Sequence, residues 1–316
     1  MLPRLVSSLL AVALLVVDAS AEEAPTLRSE MLVSTQWLAE RLDDEEVLII
    51  HVGHGRRGYD KMGHVPGAVF VDMLDLLVRD ADVPDELPDR DALIAWCRSV
   101  GIDGDRPQRI VLYGDAIGLF PARLYATLAT LGLADRVSLL DGHIRRWRAE
   151  GRPVELDEVT PTPSTWSPAP ADSPLVAFDD VRVGLSEHGW SAIDARKPES
   201  YRGDRAGHPR VAAAGHIPGA TNAPWQDAVL SVRDPALLPP EVLREQFGPI
   251  DPDRPVVSYC ATGMRSSMTY FLLRYLGYDA RWYDGSLIDW QRRGGPTASP
   301  SMVPDEPASD GQAEPR

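Results

Sequence analysis

The sequence predicts an α/β protein made of two tandem copies of one domain, each a mostly parallel sheet with helices on both faces. Two repeated motifs indicate the duplication. His64-Val65-Pro66-Gly67-Ala68 returns as His216-Ile217-Pro218-Gly219-Ala220, and Asp141-Gly142 with Trp147 returns as Asp284-Gly285 with Trp290. Between these motifs, each copy has an apolar run followed by an amphipathic stretch ending in Leu-Gly, over 121–132 and 266–277. Alternating strands and helices are typical of a parallel sheet covered on both faces.

Two short runs, 109–113 and 255–259, are nearly continuously apolar, as strands buried on both faces of a parallel sheet are. We expect short strands alternating with helices at 47–52, 68–71, 110–113 and 137–140 in the first copy and at 192–194, 220–222, 256–259 and 281–283 in the second. Ligands of such sheets bind beyond the carboxyl ends of the strands. The segments after Tyr113 and Tyr259 are therefore the candidate sites.

The first residues have the pattern of an export signal. Arg4 precedes an apolar run over 5–17, and Ala19-Ser20-Ala21 is a small-residue cleavage pattern. The run is too short to span a bilayer comfortably. We therefore expect a signal peptide over 1–21, cleavage near Ala21, and an exported protein that is periplasmic or secreted.

Composition places the remaining boundaries. Residues 152–174 are rich in proline and small polar residues, which is typical of a linker. We therefore expect domains over 27–151 and 175–295. Residues 296–316 have almost no large apolar side chains, so a disordered tail is expected there.

Charge and cysteine content exclude several classes of protein. The chain has 47 acidic and 32 basic residues and a formal net charge of -15, so we expect neither nucleic acid nor a membrane surface as a partner. A hydrophobic fraction of 44% excludes a wholly disordered protein. Two cysteines cannot form a disulfide framework or a cysteine-based zinc site, and they leave room for one nucleophile. No metal or cofactor is expected.

Cys260 is the candidate nucleophile. It follows the buried run 256–259 and precedes a short loop, Ala261-Thr262-Gly263-Met264-Arg265, with a helix expected from Ser266. Successive backbone N–H groups in such a loop can form an anion-binding nest, and they would favour a thiolate together with Arg265. Gly263 would allow the turn a positive φ.

These motifs resemble the tandem rhodanese-domain sulfurtransferases over roughly 27–293. The opening segment 32–38, both H-[VI]-P-G-A segments, Asp194-Ala195-Arg196, the Cys260 loop and both Asp-Gly…Trp endings carry the resemblance. In that family the last domain holds a sulfane sulfur as a cysteine persulfide, and the first domain has usually lost its cysteine. Here Gly114 and Asp115 follow Tyr113, so the resemblance implies a catalytically silent first domain. Cys97 lies on an apolar helical face and is interpreted as a core thiol.

The resemblance also assigns residues to the substrate. Arg196 is placed near the anionic donor, and Asp194 is interpreted as a brace. The loop residues Ala261, Thr262, Gly263 and Met264 are expected to contact the substrate together with Arg265, whose guanidinium can bind a sulfonate-like group with two hydrogen bonds. A surface salt bridge remains the alternative for both arginines. His64 and His216 are expected to be structural.

The function implied is transfer of a sulfane sulfur from thiosulfate, or a related small anionic donor, to cyanide, a thiol or a protein acceptor. The loop Cys260-Ala261-Thr262-Gly263 differs from the Cys-Arg-Lys-Gly loop of thiosulfate-specific members and from the Cys-Gly-Ser-Gly loop of mercaptopyruvate-specific members. A 3-mercaptopyruvate sulfurtransferase and a non-enzymatic sulfur-carrier or binding module therefore remain alternatives. A cysteine phosphatase needs a longer loop between its Cys and Arg than 261–264 provides. A metal site at His51, His54 and His64 lacks nearby carboxylate support in the sequence.

Overall fold

The computed structural model describes residues 24–78, 82–115, 117–205 and 207–299. The expected signal peptide lies outside these residues, as does residue 300 onward of the expected tail. The described chain forms two α/β units of similar topology. The predicted fold class is confirmed.

The first unit is a five-stranded parallel sheet in the order β1-β5-β4-β2-β3. Its core strands are β-branched and leucine-rich, and Ile50 of β2 pairs with Leu112 of β4 on one side and Val69 of β3 on the other. Side chains of Ser34 and Asp89 cap its first and third helices by accepting backbone N–H hydrogen bonds. Its elements are β1 (Leu32–Val33), α1 (Thr35–Ala39), β2 (Val47–Gly53), α2 (Arg57–Met62), β3 (Val69–Asp72), α3 (Arg90–Ser99), β4 (Arg109–Tyr113), α4 (Leu119–Ala129), β5 (Val137–Leu140) and α5 (His143–Ala149).

The second unit is a four-stranded parallel sheet in the order β7-β6-β8-β9. In it Asp194 of β6 pairs with Tyr259 of β8, as His51 pairs with Tyr113 in the first sheet. Its elements are α6 (Phe178–Glu187), β6 (Ser191–Asp194), α7 (Pro198–Tyr201), β7 (Thr221–Asn222), α8 (Pro240–Phe247), β8 (Val256–Tyr259), α9 (Ser266–Tyr275), β9 (Ala280–Trp282) and α10 (Ser286–Arg292).

The predicted strands differ from the observed ones by about one residue at their ends. The observed sheet also contains β1, which is not among the predicted strands. It is too short to give a periodic pattern, and its position beside β5 is set by pairing of Leu32 with Leu139. In the second sheet, a single parallel bridge between Leu175 and Trp282 takes the corresponding place.

The two units share one hydrophobic core at their interface. Helices α4 and α9 pack together, with the Tyr125 ring centroid 5.0 Å from that of Phe271 and 5.9 Å from that of Tyr270. Burial of aromatic side chains is the main favourable contribution to such an interface. The side chains that pack here therefore stabilise both halves at once.

The segments expected to lie outside the two domains are packed against them. In the linker, Trp166 is buried, and the Ser164 N–H donates to the Arg98 carbonyl oxygen at 2.9 Å. Ala298, from the segment expected to be a disordered tail, exchanges two backbone hydrogen bonds of 2.8 Å with His216. Residues 296–299, beyond the expected boundary at 295, therefore pack with the second unit, where Ala298 satisfies the His216 backbone.

Among the described residues, the helices are all too short or too polar to cross a membrane.

Candidate active site

Cys260 lies at the carboxyl end of β8, a central strand of the second sheet, where its side chain is buried. Its N–H donates to Ser286 Oγ at 3.1 Å, and the same Oγ lies 4.0 Å from Cys260 Sγ. The Ser286 hydroxyl also donates to the Tyr283 carbonyl oxygen at 2.8 Å. Because a hydroxyl has one proton, it can turn from that carbonyl to a charged sulfur when one forms.

Ser286 was not found from the sequence. It follows Asp284-Gly285 at the start of α10 and has a φ of 52°, and His143, which follows Asp141-Gly142, has a φ of 50°. The repeated Asp-Gly motif therefore marks a turn that places the next side chain against the loop of its own unit, at Gly118 in the first and at Cys260 in the second. Only the fold shows that this next residue meets Cys260.

The loop after Cys260 has free hydrogen-bond donors. The backbone N–H groups of residues 261–265 have no acceptor among the described residues. The loop carbonyl oxygens, by contrast, are used: the Leu287 and Ile288 N–H groups donate to those of Cys260 and Ala261 at 3.2 and 3.3 Å. A loop whose carbonyl oxygens are already hydrogen-bonded and whose backbone N–H groups have no acceptor is suited to binding an anion.

Gly263 allows the loop to turn. Its φ is +84°, and a Cβ atom there would overlap Asp284 Oδ1 and the Asp284 carbonyl oxygen. Its own carbonyl oxygen accepts hydrogen bonds from Ser266 Oγ at 2.9 Å and from Trp282 Nε1 at 3.3 Å. Left-handed backbone and close approach both require glycine here.

Arg265 is the positively charged residue of the loop. It is half-buried at the start of α9, and its side chain has no hydrogen bond or ion pair among the described residues. Burial lowers the pKa of His208; the charge of Asp85 opposes this shift, and the charges of Arg265 and Arg210 add to it. An unpaired guanidinium beside a buried thiol can bind an anionic substrate.

Arg196 is held instead in a buried ion pair. Its Nε donates to Asp194 Oδ1 at 3.0 Å, and its Nη2 donates to Asp194 Oδ2 and the Gly215 carbonyl oxygen at 2.7 Å each. Burial opposes its charge, but the Asp194 hydrogen bond and charge, with smaller contributions from Tyr259 and Cys260, raise the pKa of Arg196. Its Nη1 is buried without a hydrogen-bond partner in the described chain. Arg196 therefore leaves both N–H donors of Nη1 unused by the described residues near Cys260, within an ion pair whose net charge is zero.

The remaining predicted site residues lie in the same loop. Ala261 and Thr262 are buried, and Met264 is half-buried. The structure thus brings Cys260, its loop and the two arginines together at one end of the second sheet. Their contact with substrate stays a prediction.

Cys97 is far less suited to act as a nucleophile. It lies on α3 in the hydrophobic core, where burial raises the pKa of its thiol to about 12. Both cysteines are free. A thiol with this pKa is almost entirely protonated near neutral pH.

The corresponding site of the first unit has the loop shape but different chemistry. Gly118 has the same φ of +84° as Gly263, but Gly114 takes the place of the cysteine. His51, at the strand position of Asp194, lies with Nε2 3.2 Å from Asp115 Oδ2. Burial works in the opposite direction, but the close His51 ring and the charges of Arg148 and Arg145 lower the pKa of Asp115. A carboxylate therefore occupies the loop that would receive an anionic donor.

Among the described residues, no group of three or more His, Cys, Asp and Glu side chains is arranged to hold a metal ion. The three histidines near the start of the chain have separate carboxylate neighbours. These pairs are His51 with Asp115, His54 with Asp72 and His64 with Glu155.

Comparison with known proteins matches both halves of the chain to one family. Residues 34–150 and 178–293 each match the rhodanese-like domain. The chain is 34% identical over 278 residues to the sulfur carrier protein TtuD of Thermus thermophilus, covering 83% of this chain and 93% of that protein. It is 30% identical over 263 residues to the thiosulfate sulfurtransferase of Azotobacter vinelandii, covering 82% of this chain and 93% of that protein.

A solved structure gives the same result in three dimensions. The crystal structure of the 3-mercaptopyruvate sulfotransferase SseA from Escherichia coli matches with a TM-score of 0.68 at 26% identity. The match covers 81% of this chain and 98% of that one, so both units and their arrangement are shared.

Proposed function

The chain belongs to the rhodanese family as a tandem pair of rhodanese-like domains, and we propose that it is a sulfurtransferase acting through a persulfide on Cys260. The family assignment confirms the resemblance inferred from the motifs. The observation that carries the proposal is the buried Cys260 thiol beside the Ser286 hydroxyl and a loop whose five backbone N–H groups have no acceptor in the described part of the chain. The donor is proposed to be thiosulfate, and the acceptor cyanide or a thiol.

The first half-reaction loads the enzyme. The Cys260 thiolate attacks the outer sulfur of thiosulfate, a new sulfur–sulfur bond forms, and the bond inside thiosulfate breaks so that its electron pair leaves with sulfite. The loop N–H groups and the Ser286 hydroxyl stabilise the negative sulfur, because donors fixed in a sheltered site need no rearrangement. Arg265 binds the sulfonate end, and the unused N–H groups of Arg196 Nη1 can donate hydrogen bonds to the anion.

The second half-reaction removes the sulfur from Cys260. The acceptor attacks the outer sulfur of the persulfide, and the electron pair of the persulfide bond returns to Cys260 as a thiolate. The first unit neither makes nor breaks a bond in this reaction, because Asp115 would repel both thiosulfate and sulfite.

Intact-mass spectrometry tests the proposal. Thiosulfate alone should add one sulfur atom, about 32 Da, to the protein and release one sulfite. Cys97→Ser should still gain the sulfur and Cys260→Ser should not. Sulfur found on Cys97, or on neither thiol, would refute the assignment.

Steady-state kinetics separate the three family functions. Thiosulfate and mercaptopyruvate are compared side by side with cyanide as acceptor. Higher kcat/KM with thiosulfate supports the proposal, and higher kcat/KM with mercaptopyruvate shows that the donor is the one named for SseA. A persulfide that forms but does not turn over with small acceptors shows a sulfur carrier, as the name of the Thermus relative describes.

We also propose that the protein is exported, on the pattern of Arg4, the apolar run over 5–17 and Ala19-Ser20-Ala21. Fractionation of the producing cells with amino-terminal sequencing tests this. A mature chain beginning near Glu22 outside the cytoplasm supports export, and a full-length cytoplasmic chain refutes it.

A further inference from the structure

A buried ion pair connects the first unit to the active-site loop of the second. Arg123 of α4 is fully buried, and its Nη1 and Nη2 donate to the two carboxylate oxygens of Asp284, the second at 3.1 Å. Nη2 also donates to the Asp85 carbonyl oxygen. The Leu87 N–H, again from the first unit, donates to Asp284 Oδ2 at 3.1 Å. Asp284 is thus held almost entirely by groups of the first unit.

Asp284 in turn lies against the Cys260 loop. A Cβ atom at Gly263 would overlap its Oδ1 and its carbonyl oxygen and lie 3.0 Å from its carbonyl carbon. Asp284 precedes the turn whose next side chain, Ser286, meets the Cys260 N–H. The carboxylate held by Arg123 therefore supports both Gly263 and the Ser286 turn.

Arg123 reaches the same loop by a second route. Its guanidinium carbon lies 4.5 Å from the centroid of the Trp282 ring, in cation–π geometry. Trp282 Nε1 lies 3.3 Å from both the Gly263 carbonyl oxygen and Ser266 Oγ. One buried guanidinium therefore contacts Asp284 and Trp282, two of the groups that lie against Gly263.

We propose that Arg123 is a positioning residue, supplied by the first unit, that fixes the Cys260 loop for sulfur transfer. It makes no described contact with Cys260 itself, and acts through Asp284 and Trp282. The inference rests on the proposed function, and it gives the silent unit a part in the reaction. Without Arg123 the Asp284 carboxylate would be buried and unpaired, so it would take up a proton or admit water. Either change moves Gly263 and redirects the loop N–H groups.

The chain provides a partly exposed control ion pair at the related aspartate, Asp141. Arg146 of the first unit bonds to Asp141 at 2.8 Å and to Asp234 of the second unit at 2.9 Å, and the Leu237 N–H donates to Asp141 Oδ1 at 3.0 Å. This pair also joins the two units through an Asp-Gly aspartate, but it lies at the loop without a cysteine. Arg146→Met removes an ion pair between the units and leaves the Cys260 loop untouched.

The experiment compares Arg123→Met, Arg123→Met/Asp284→Asn and Arg146→Met in the full chain. Thermal unfolding, kcat/KM for thiosulfate with cyanide, and the pH dependence of Cys260 alkylation by iodoacetamide are measured for each. Arg123→Met should lower kcat/KM by roughly tenfold to a hundredfold and shift the alkylation profile toward higher pH, because a loop displaced by about 1 Å costs this much in a positioned site. Arg146→Met should move the unfolding temperature alone.

The double variant keeps the test decisive if Arg123→Met does not fold, because it leaves no unpaired buried charge. A folded double variant with reduced kcat/KM and a shifted alkylation profile supports the positioning role. A folded Arg123→Met variant with the wild-type alkylation profile and the wild-type kcat/KM overturns the positioning role. If the wild-type protein does not use thiosulfate, the proposed donor fails, and the alkylation profile still decides the role of Arg123.

Discussion

Gly263→Ala is expected to be one of the most damaging single-methyl additions in this protein. The change places a Cβ atom on a residue whose φ is +84°, at a point where Asp284 lies directly against the backbone. It therefore combines a conformational cost with a steric one. Both act on the loop that carries Cys260.

The two costs can be sized separately. Holding an L-residue in left-handed backbone costs about 1–2 kcal/mol. The overlap with Asp284 adds about 1–3 kcal/mol, the usual cost of overpacking a filled site. One of the overlapped atoms is a backbone carbonyl oxygen and the other is a carboxylate oxygen bonded to Arg123, so neither can turn aside as an exposed side chain would. We expect a loss of about 2–5 kcal/mol in the free energy of unfolding.

Gly219→Ala is the matched control. Gly219 has a φ of +80°, and a Cβ atom there would meet nothing within 4 Å. This variant carries the conformational cost alone, so it should lose about 1–2 kcal/mol. Urea unfolding of both variants gives the difference, and thiosulfate turnover should fall sharply only in Gly263→Ala. Equal losses of stability, or unchanged turnover in a folded Gly263→Ala protein, would contradict the packing described for the loop.

Three further outcomes follow from the same contacts. Arg265→Ala should lose about 2–4 kcal/mol of transition-state stabilisation for thiosulfate, measured as kcat/KM, and an unchanged value would show that the loop N–H groups suffice. Burial, with a smaller effect of His51, lowers the pKa of His143 to about 4 from the ordinary value of 6.5. Between these two pH values His143 binds a proton in the unfolded chain and not in the folded one. The free energy of unfolding should therefore fall as the pH drops from about 6.5 to about 4. His143→Asn should remove roughly 2–3 kcal/mol of that fall, measured by urea unfolding at about pH 7 and pH 4.5. The same loss of stability between the two pH values in wild type and variant would contradict this. Residues 175–299 expressed alone would expose Tyr270 and Phe271 and should aggregate or turn over thiosulfate weakly, and full activity would disprove a supporting role for the first unit.

The family and fold could be predicted because their signals are local. Apolar runs such as 256–259 form strands wherever they are buried, and a cysteine followed by a glycine-containing loop defines its own turn. The repeated motifs placed both copies in register. The position of Cys260 at a strand end, with Gly263 and Arg265 after it, needed no knowledge of distant residues.

The partners beneath the loop could not be predicted in this way. Arg123 and Asp284 belong to different units, and Ser286 meets Cys260 only after β9 returns the chain to the same edge of the sheet. Arg196 lies near Cys260, yet the sequence did not show that Asp194 and Gly215 already occupy most of its donors. Local sequence thus determined the strand-end position of Cys260 and the turn of its loop, because backbone geometry depends on neighbouring residues. The tertiary structure alone decided which buried charges support that loop, because a buried ion pair requires only that its two groups meet in space, and it leaves no pattern along the chain.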